Sequence, residues 1–409
     1  HLAWKVELGS FTMLFDAITG ARLFEMSSRH FARVVRDGQG NGILGLLGGY
    51  RTIAVDGVTV SPTPPPHADI FPGRDGITGG LVTAVEDYNL LLARNGHVGM
   101  NGRGGGDFNV NANVVFETGG CPNAFMDSYV TWNAFFCPGE ATADVAGHEL
   151  THGVIGATSG LIMSDQSGAI NEAYADILGD LADRTRDGRI GETSGSGTMR
   201  NLLNPNLSSA PQPTHFSGYV PRVPAACAGS VFPWDCDFGF VHTNSGIINR
   251  AHRLLANGVP GAFAGIGNER LERLALAVAT THLPFNATMH QVAGATRDLC
   301  ETFVARGVTG MITGAPFTTT HCDAVTQAFR MVGLDPTLSS GWSEPVLGFV
   351  GSDLIAGPGA DGVPPVTPGL CPLSNILLEH RVPVLATSLF GVYALATPLP
   401  PQTSILGFI

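Results

Sequence analysis

The apolar positions of this chain change their period along its length. Leu2, Trp4, Val6 and Leu8 alternate with polar residues, and Phe11 to Phe15 continues the pattern. Residues 1–27 therefore read as two strands of a first hairpin, with a turn near Asp16-Ala17-Ile18-Thr19-Gly20. Residues 28–84 are punctuated by Gly and Pro (GQGNGILGLLGG, SPTPPP) and read as irregular β structure. Ile77 to Arg94 has helical spacing. Gly102-Arg103-Gly104-Gly105-Gly106 lacks the Lys-Ser/Thr that a phosphate-binding loop requires, so it reads as a hairpin turn. Residues 109–136 read as strands. Ile247 to Leu255, Leu271 to Leu283, Met289 to Phe303 and Cys322 to Val332 then carry helical spacing. The pattern is α+β, strand-rich first and mainly helical later.

The helical stretch from Asp144 holds the chemistry. His148-Glu149-Leu150-Thr151-His152 is an H-E-x-x-H, and on a helix positions i and i+4 share one face. Two imidazoles can grip one metal ion there, with Glu149 beside them and able to reach a water. Catalytic zinc usually takes three protein ligands. Glu172, in Asn171-Glu172-Ala173-Tyr174-Ala175-Asp176, lies 20 residues past His152, room for a loop and the start of an antiparallel second helix. Asp176, one turn further, can accept a hydrogen bond from a ligand histidine and fix its tautomer. Ile155 and Thr158 stand where the extended metzincin pattern needs Gly and a third His, so the third ligand is expected to be a carboxylate.

HELTH followed at this distance by GAINEAYAD resembles the thermolysin family of zinc endopeptidases, and Asp237-Phe238-Gly239-Phe240-Val241-His242-Thr243-Asn244-Ser245-Gly246-Ile247-Ile248-Asn249 is similar to that family's second signature. The similarity runs from about residue 85 to about residue 334. It implies a two-domain peptidase with the zinc site in the cleft between a β-rich domain and a mainly helical one. The expected division is 1–27 as the end of a propeptide, since D-x-x-T-G precedes its last strand, and 28–152 as the β-rich part ending in the zinc helix. Residues 153–335 form the helical part, and 336–409 a Gly/Pro-rich appendage.

The resemblance also assigns roles. Zinc on His148, His152 and Glu172 would lower the pKa of a water toward about 7 and polarise a peptide carbonyl. Glu149 would take the water's proton as general base, and His242, oriented by Asp237, would stabilise the oxyanion. Asn123 and Ala124 match the pair that contacts substrate on an edge strand, although an ordinary turn asparagine fits the same residues. Arg200 matches the arginine that holds a substrate carbonyl. Val145, Ile190 and Met199 fall on the apolar pocket that receives the side chain after the scissile bond. Asp144, Asp183, Asp187 and Glu192 fall on calcium positions, and Arg189 replaces an acidic residue of the two-ion version, so at most one calcium is expected. One departure stands out: Met163 follows Gly160-Leu161-Ile162 where the family has a tyrosine that helps hold the oxyanion, and Met has no donor.

Composition narrows the rest. The chain has 409 residues, 44% hydrophobic and 14% charged, enough for two or three domains. Its net charge of −12 argues against nucleic acid or an anionic membrane as partner and leaves protein or peptide substrates. Val382 to Leu399 has no charge, but Pro383 and Pro398 inside it and its marginal length make it a weak membrane span. Seven cysteines include the sequence-close pairs Cys121/Cys137, Cys227/Cys236 and Cys300/Cys322, with Cys371 left over. Disulfides and a secreted protein are expected, with connectivity open. No signal peptide stands ahead of His1, so a leader removed or left out is the expectation.

Overall fold

The structure is a computed structural model that describes residues 3–8, 11–16, 22–27, 33–38, 40–43, 50–56, 58–59, 76–116, 120–128, 132–222, 236–310 and 312–338. The appendage expected at 336–409, Cys227 and Cys371 thus fall wholly or mainly outside the described residues.

Three antiparallel strands open the chain: β1 (Ala3–Leu8), β2 (Phe11–Asp16) and β3 (Arg22–Ser27), in that order across the sheet. The hairpin expected over 1–27 is therefore three strands and not two. Leu8 pairs with Phe11, so only Gly9-Ser10 separates β1 from β2. Two residues barely interrupt an apolar alternation, which is why the break is hard to see.

The main sheet has six strands in the order β6-β5-β4-β7-β9-β8. They are β4 (Arg33–Asp37), β5 (Arg51–Val55), β6 (Val58–Thr59), β7 (Phe108–Ala112), β8 (Ala124–Asp127) and β9 (Asn133–Phe136). β4 and β9 run parallel to β7, and the remaining pairs are antiparallel. Among the described residues β8 is an edge, with one side of its backbone unpaired in the sheet. A disulfide from Cys121 to Cys137 ties the segment before β8 to the end of β9.

Between β4 and β7 lies α1 (Gly76–Arg94), one residue longer than the expected helix. Its Tyr88 is fully buried, meets Phe108 edge-on at 5.9 Å and hydrogen-bonds Thr151 Oγ1 at 2.8 Å. One tyrosine thus joins the sheet and α1 to the next helix. The glycine run 102–106 joins α1 to β7 through an isolated Gly99–Gly105 bridge and closes no hairpin. Asn101 Oδ1 accepts from the backbone of Arg103 and Gly105 and folds the loop on itself.

The helical part is built around α3 (Asp165–Ala182), buried from Gln166 to Ala182 and flanked by α2 (Ala143–Ala157) and α4 (Asp237–Asn257). A helix apolar or paired on every side belongs in a core. α2 and α3 run antiparallel, Gly147 against Gly179 at one end and His152 against Asn171 at the other. α5 (Asn268–Ala277), α6 (Met289–Ala305) and α7 (Thr319–Met331) complete it, with Cys300 of α6 bonded to Cys322 of α7. The helix expected over Leu271–Leu283 stops being α-helical at Ala277 and widens into a π turn, Val278–His282. Thr280 and Thr281 donate their hydroxyls to the carbonyls of Leu276 and Ala277, which loosens the regular ladder there. Among the described residues no helix is long and apolar enough to cross a membrane.

Candidate metal centre

His148 and His152 come from one face of α2, with Nε2 atoms 3.0 Å apart. Glu172 enters from α3, Oε2 at 3.5 Å from His148 Nε2 and Oε1 at 3.5 Å from His152 Nε2. Among the described residues this is the group of three His, Cys, Asp or Glu side chains whose ligand atoms lie within 4.8 Å of one another.

The outer nitrogens decide what the inner ones can do. His148 Nδ1 is 2.9 Å from Asp176 Oδ1, and His152 Nδ1 is 2.9 Å from Asn171 Oδ1. Both partners are acceptors, so in the neutral rings that a cation would require both Nδ1 carry the proton and both Nε2 carry a lone pair. Two lone pairs and a carboxylate then face one buried point, and Glu172 Oε2 has no hydrogen-bond partner. Such a set calls for a cation. Separations of 3.0–3.5 Å suit donors about 2 Å from a common tetrahedral centre, and the N, N, O set suits zinc.

Glu149 is buried next to this set but not part of it. Burial first, and the charge of Glu172 with it, push its carboxyl up to about 7, against the pull of His148, Arg200 and His242. A carboxyl held there is suited to exchange a proton near neutrality. Glu172 goes the other way: despite burial, His242, His152 and His148 hold it well below the ordinary carboxylate range. Burial lowers His152 to about 4, which keeps it neutral.

His242 reaches the centre from α4. Its Nε2 stands 3.3 Å from Glu172 Oε2, its Nδ1 2.5 Å from Asp237 Oδ1, and half of its side chain is exposed. Burial would lower its pKa, but Glu172 and Asp237 raise it on balance, an effect that the exposed half of the ring screens. Its placement depends on an unusual turn. Asp237, Phe238, Gly239 and Phe240 have φ of 49°, 51°, 97° and 61°, so the right-handed helix starts only at Val241. Left-handed backbone costs roughly 1–2 kcal/mol per non-glycine residue. Here it curls Asp237 back beneath the imidazole that it holds.

The likeness to a known family falls on the helical half. The description "Thermolysin metallopeptidase, alpha-helical domain" matches residues 159–334, from just past the H-E-x-x-H helix to the end of α7 and its following turn. Over those residues the chain is similar to the thermolysin family. It is 31% identical over 208 residues to the "Zinc metalloproteinase" of Renibacterium salmoninarum, covering 48% of this chain and 36% of that protein. It is 40% identical over 120 residues to the "Neutral protease NprE" of Bacillus pumilus (29% and 36%). The "Thermolysin" of Alicyclobacillus acidocaldarius is 37% identical over 151 residues (34% and 25%). The chain thus spans little more than a third of these relatives at most. The precursor of protealysin, a metalloproteinase from Serratia proteamaculans, shares the fold at a TM-score of 0.55 and 21% identity, over 74% of this chain and 88% of that one.

The other residues expected from the thermolysin resemblance divide. Asp176 and Asp237 stand where expected, each against its histidine. Arg200, in β11 (Arg200–Asn201, paired with β10, Arg189–Ile190), donates to Asp176 Oδ1 at 2.8 Å and comes within 3.4 Å of His148 Nε2. It braces Asp176 and His148, a role apart from the expected hold on substrate. Asn123 and Ala124 sit at the start of edge strand β8. Val145 and Ile190 are buried in the core, with Met199 packed against it half-buried. Met163 is half-buried in the loop before α3. Asn171, which holds His152, was not anticipated, although it immediately precedes Glu172.

Of the four calcium candidates, two come together. Asp144 accepts from Thr142 Oγ1 and Gly191 N, and Glu192 lies beside it with its carboxyl pushed up to about 7 by burial and then by Asp144. Asp183 accepts from Arg184 N and Thr185 Oγ1, and Asp187 from Arg189 N. Those two serve their own loop.

Proposed function

We propose that this chain is a secreted, zinc-dependent endopeptidase that hydrolyses internal peptide bonds before large hydrophobic residues. One observation carries the reading: His148, His152 and Glu172 converge on a buried point while Glu149 stands beside it uncommitted. Zinc held by those three residues would supply Lewis-acid polarisation of the substrate carbonyl and a water of lowered pKa. Glu149 takes the water's proton and passes it to the leaving amine. His242 donates from Nε2 to the developing oxyanion, with Asp237 keeping its Nδ1 protonated. The substrate adds to β8 by backbone pairing, with Asn123 and Ala124 in contact and Arg200 on a substrate carbonyl. Val145, Ile190 and Met199 line the pocket for the residue after the scissile bond.

Residues 1–27 are the end of a propeptide, 28–152 and 153–335 the two halves of the peptidase, and 336–409 an appendage. Asp144 and Glu192, with Asp183 and Asp187, hold one calcium ion.

Casein hydrolysis with and without a zinc chelator tests the activity; hydrolysis that survives complete zinc removal overturns it. A peptide blocked at its amino end separates endopeptidase from aminopeptidase, whose Glu comes one residue sooner after H-E-x-x-H. Met163 favours a second reading, a weakly active zinc-binding homologue that serves in binding. Turnover close to background by the fully zinc-loaded protein would support it.

A further inference from the structure

Asn249 lies seven residues after His242 on α4, two turns along and on the same face, turned toward α3. Its Nδ2 donates to Asp176 Oδ2 at 2.8 Å, and both residues are wholly buried. The other oxygen, Asp176 Oδ1, accepts from Arg200 Nε at 2.8 Å and from His148 Nδ1 at 2.9 Å. On the zinc-site reading above, we propose that Asn249 is a positioning residue for the metal centre: by holding Asp176 Oδ2 it fixes the carboxylate whose other oxygen aims His148.

The chemistry of the amide fits that task. The terminal torsion of an aspartate is broad and soft, so a carboxylate held through one oxygen can swing. A bond on each oxygen removes that freedom, and with it the swing of the imidazole hydrogen-bonded to Oδ1. A carboxylate at position 249 would face Asp176 at hydrogen-bond distance, and one of the pair would have to take up a proton. A leucine of similar shape would leave Asp176 Oδ2 buried without a donor. Asparagine supplies a neutral donor, and its Oδ1 meets no partner among the described residues, so the bond to Asp176 is the side chain's only one among them. α4 therefore places His242 directly and His148 through Asn249 and Asp176.

The test uses the full chain. Zinc affinity is measured by competition with a chelator, and the visible spectrum of the cobalt-substituted protein reports ligand geometry. Asn249→Leu should weaken zinc binding about tenfold or more and change the cobalt spectrum, in the range found for outer partners of metal ligands. Asp176→Asn should do at least as much. The double variant should bind no more weakly than Asp176→Asn alone, because Asn249 acts only through Asp176. Should Asn249→Leu not fold, Asn249→Ala is read the same way. Parent-like affinity and spectrum in a folded variant, or fully additive losses in the double variant, overturn the proposal. His148→Ala is the control. If it keeps stoichiometric zinc, the zinc site itself is misplaced, a failure distinct from that of Asn249.

Discussion

Gly179 of α3 lies so close to His148 of α2 that a Cβ on it would stand 2.9 Å from the His148 amide nitrogen and 2.6 Å from the Asp144 carbonyl oxygen. Gly147 answers from the other helix: a Cβ there would meet Gly179 Cα at 2.9 Å. The obstructing atoms are backbone, so the helices must part to admit a methyl. That contact brings Glu172 within reach of two histidines on a neighbouring helix. Gly179→Ala should cost about 1–3 kcal/mol through overpacking and weaken zinc binding as well. Urea unfolding of the zinc-free and zinc-loaded forms measures both. Parent-like values in both would mean that the close approach is not needed.

Glu149→Gln should abolish peptide hydrolysis while zinc content and melting temperature stay near those of the parent, because in the proposed mechanism Glu149 is base and not ligand. His148→Ala and Glu172→Ala should lose the metal, as elemental analysis would detect. Activity of Glu149→Gln within about tenfold of the parent would contradict general-base catalysis.

A buried ion pair secures the loop after α3. Arg253 Nη1 donates to Asp180 Oδ2 at 2.9 Å, with both side chains almost wholly buried, while Asp180 Oδ1 accepts from Gly188 N at 2.7 Å. Burial, only partly offset by Arg253, pushes the Asp180 carboxyl up to about 6 from an ordinary 3.8. A carboxyl raised in the folded state makes folding less favourable as pH climbs from about 4 to about 6. Arg253→Met would leave the charge unpaired and should cost about 3–5 kcal/mol near neutrality. The loss should shrink at pH 4, where Asp180 is protonated, and adding Asp180→Leu should recover most of it. A cost unchanged between pH 8 and pH 4 would show that the lost packing of Arg253, and not charge, is what matters.

The metal centre was legible in the sequence because its parts are local. His148 and His152 share a helix face, Asn171, Glu172 and Asp176 sit within one short motif, and Asp237 is close in sequence to His242. What stayed hidden depends on chain segments far apart. Nothing near Asn249 points to Asp176, nothing near Arg253 points to Asp180, and nothing near Arg200 points to its bond to Asp176, which joins two separate elements. The left-handed turn at Asp237–Phe240 gave little sign of itself, since Phe238 and Phe240 are not residues that favour that backbone. The break between the first two strands at the amino end was masked by the shortness of their connection.

Calcium should raise resistance to heat and self-digestion, since an ion bound only by the folded state stabilises it by mass action. The motive is the adjacency of buried Asp144 and half-buried Glu192, carboxyls that a hard cation would neutralise. Asp183 and Asp187 would have to turn from their present backbone and hydroxyl partners to join them. A melting temperature identical in millimolar calcium and in a calcium-selective chelator would remove the site from consideration.

Met163 gives the sharpest test of the oxyanion chemistry. It precedes α3 by one loop residue, and its backbone packs on Gly168, where a Cβ would come within 2.9 Å of the Met163 carbonyl carbon. The backbone at this position is therefore well fixed, and Val241, next to His242, touches the same glycine. A tyrosine here would carry a hydroxyl on a rigid ring, anchored beside the start of α4. Removing one oxyanion donor typically costs about 10²–10³ in rate. That range is an upper limit for what adding one can gain, because in the proposed mechanism zinc and His242 already share the charge. Met163→Tyr should raise kcat with KM little changed, since the new bond would strengthen mainly in the transition state. The competing outcome is overpacking: half-buried Met163 would be replaced by a stiffer, larger side chain, and stability would fall by about 1–3 kcal/mol. Steady-state kinetics on a blocked peptide, run beside a melting curve, separates the two. A destabilised variant with no gain in kcat would show that position 163 does not face the reacting carbonyl.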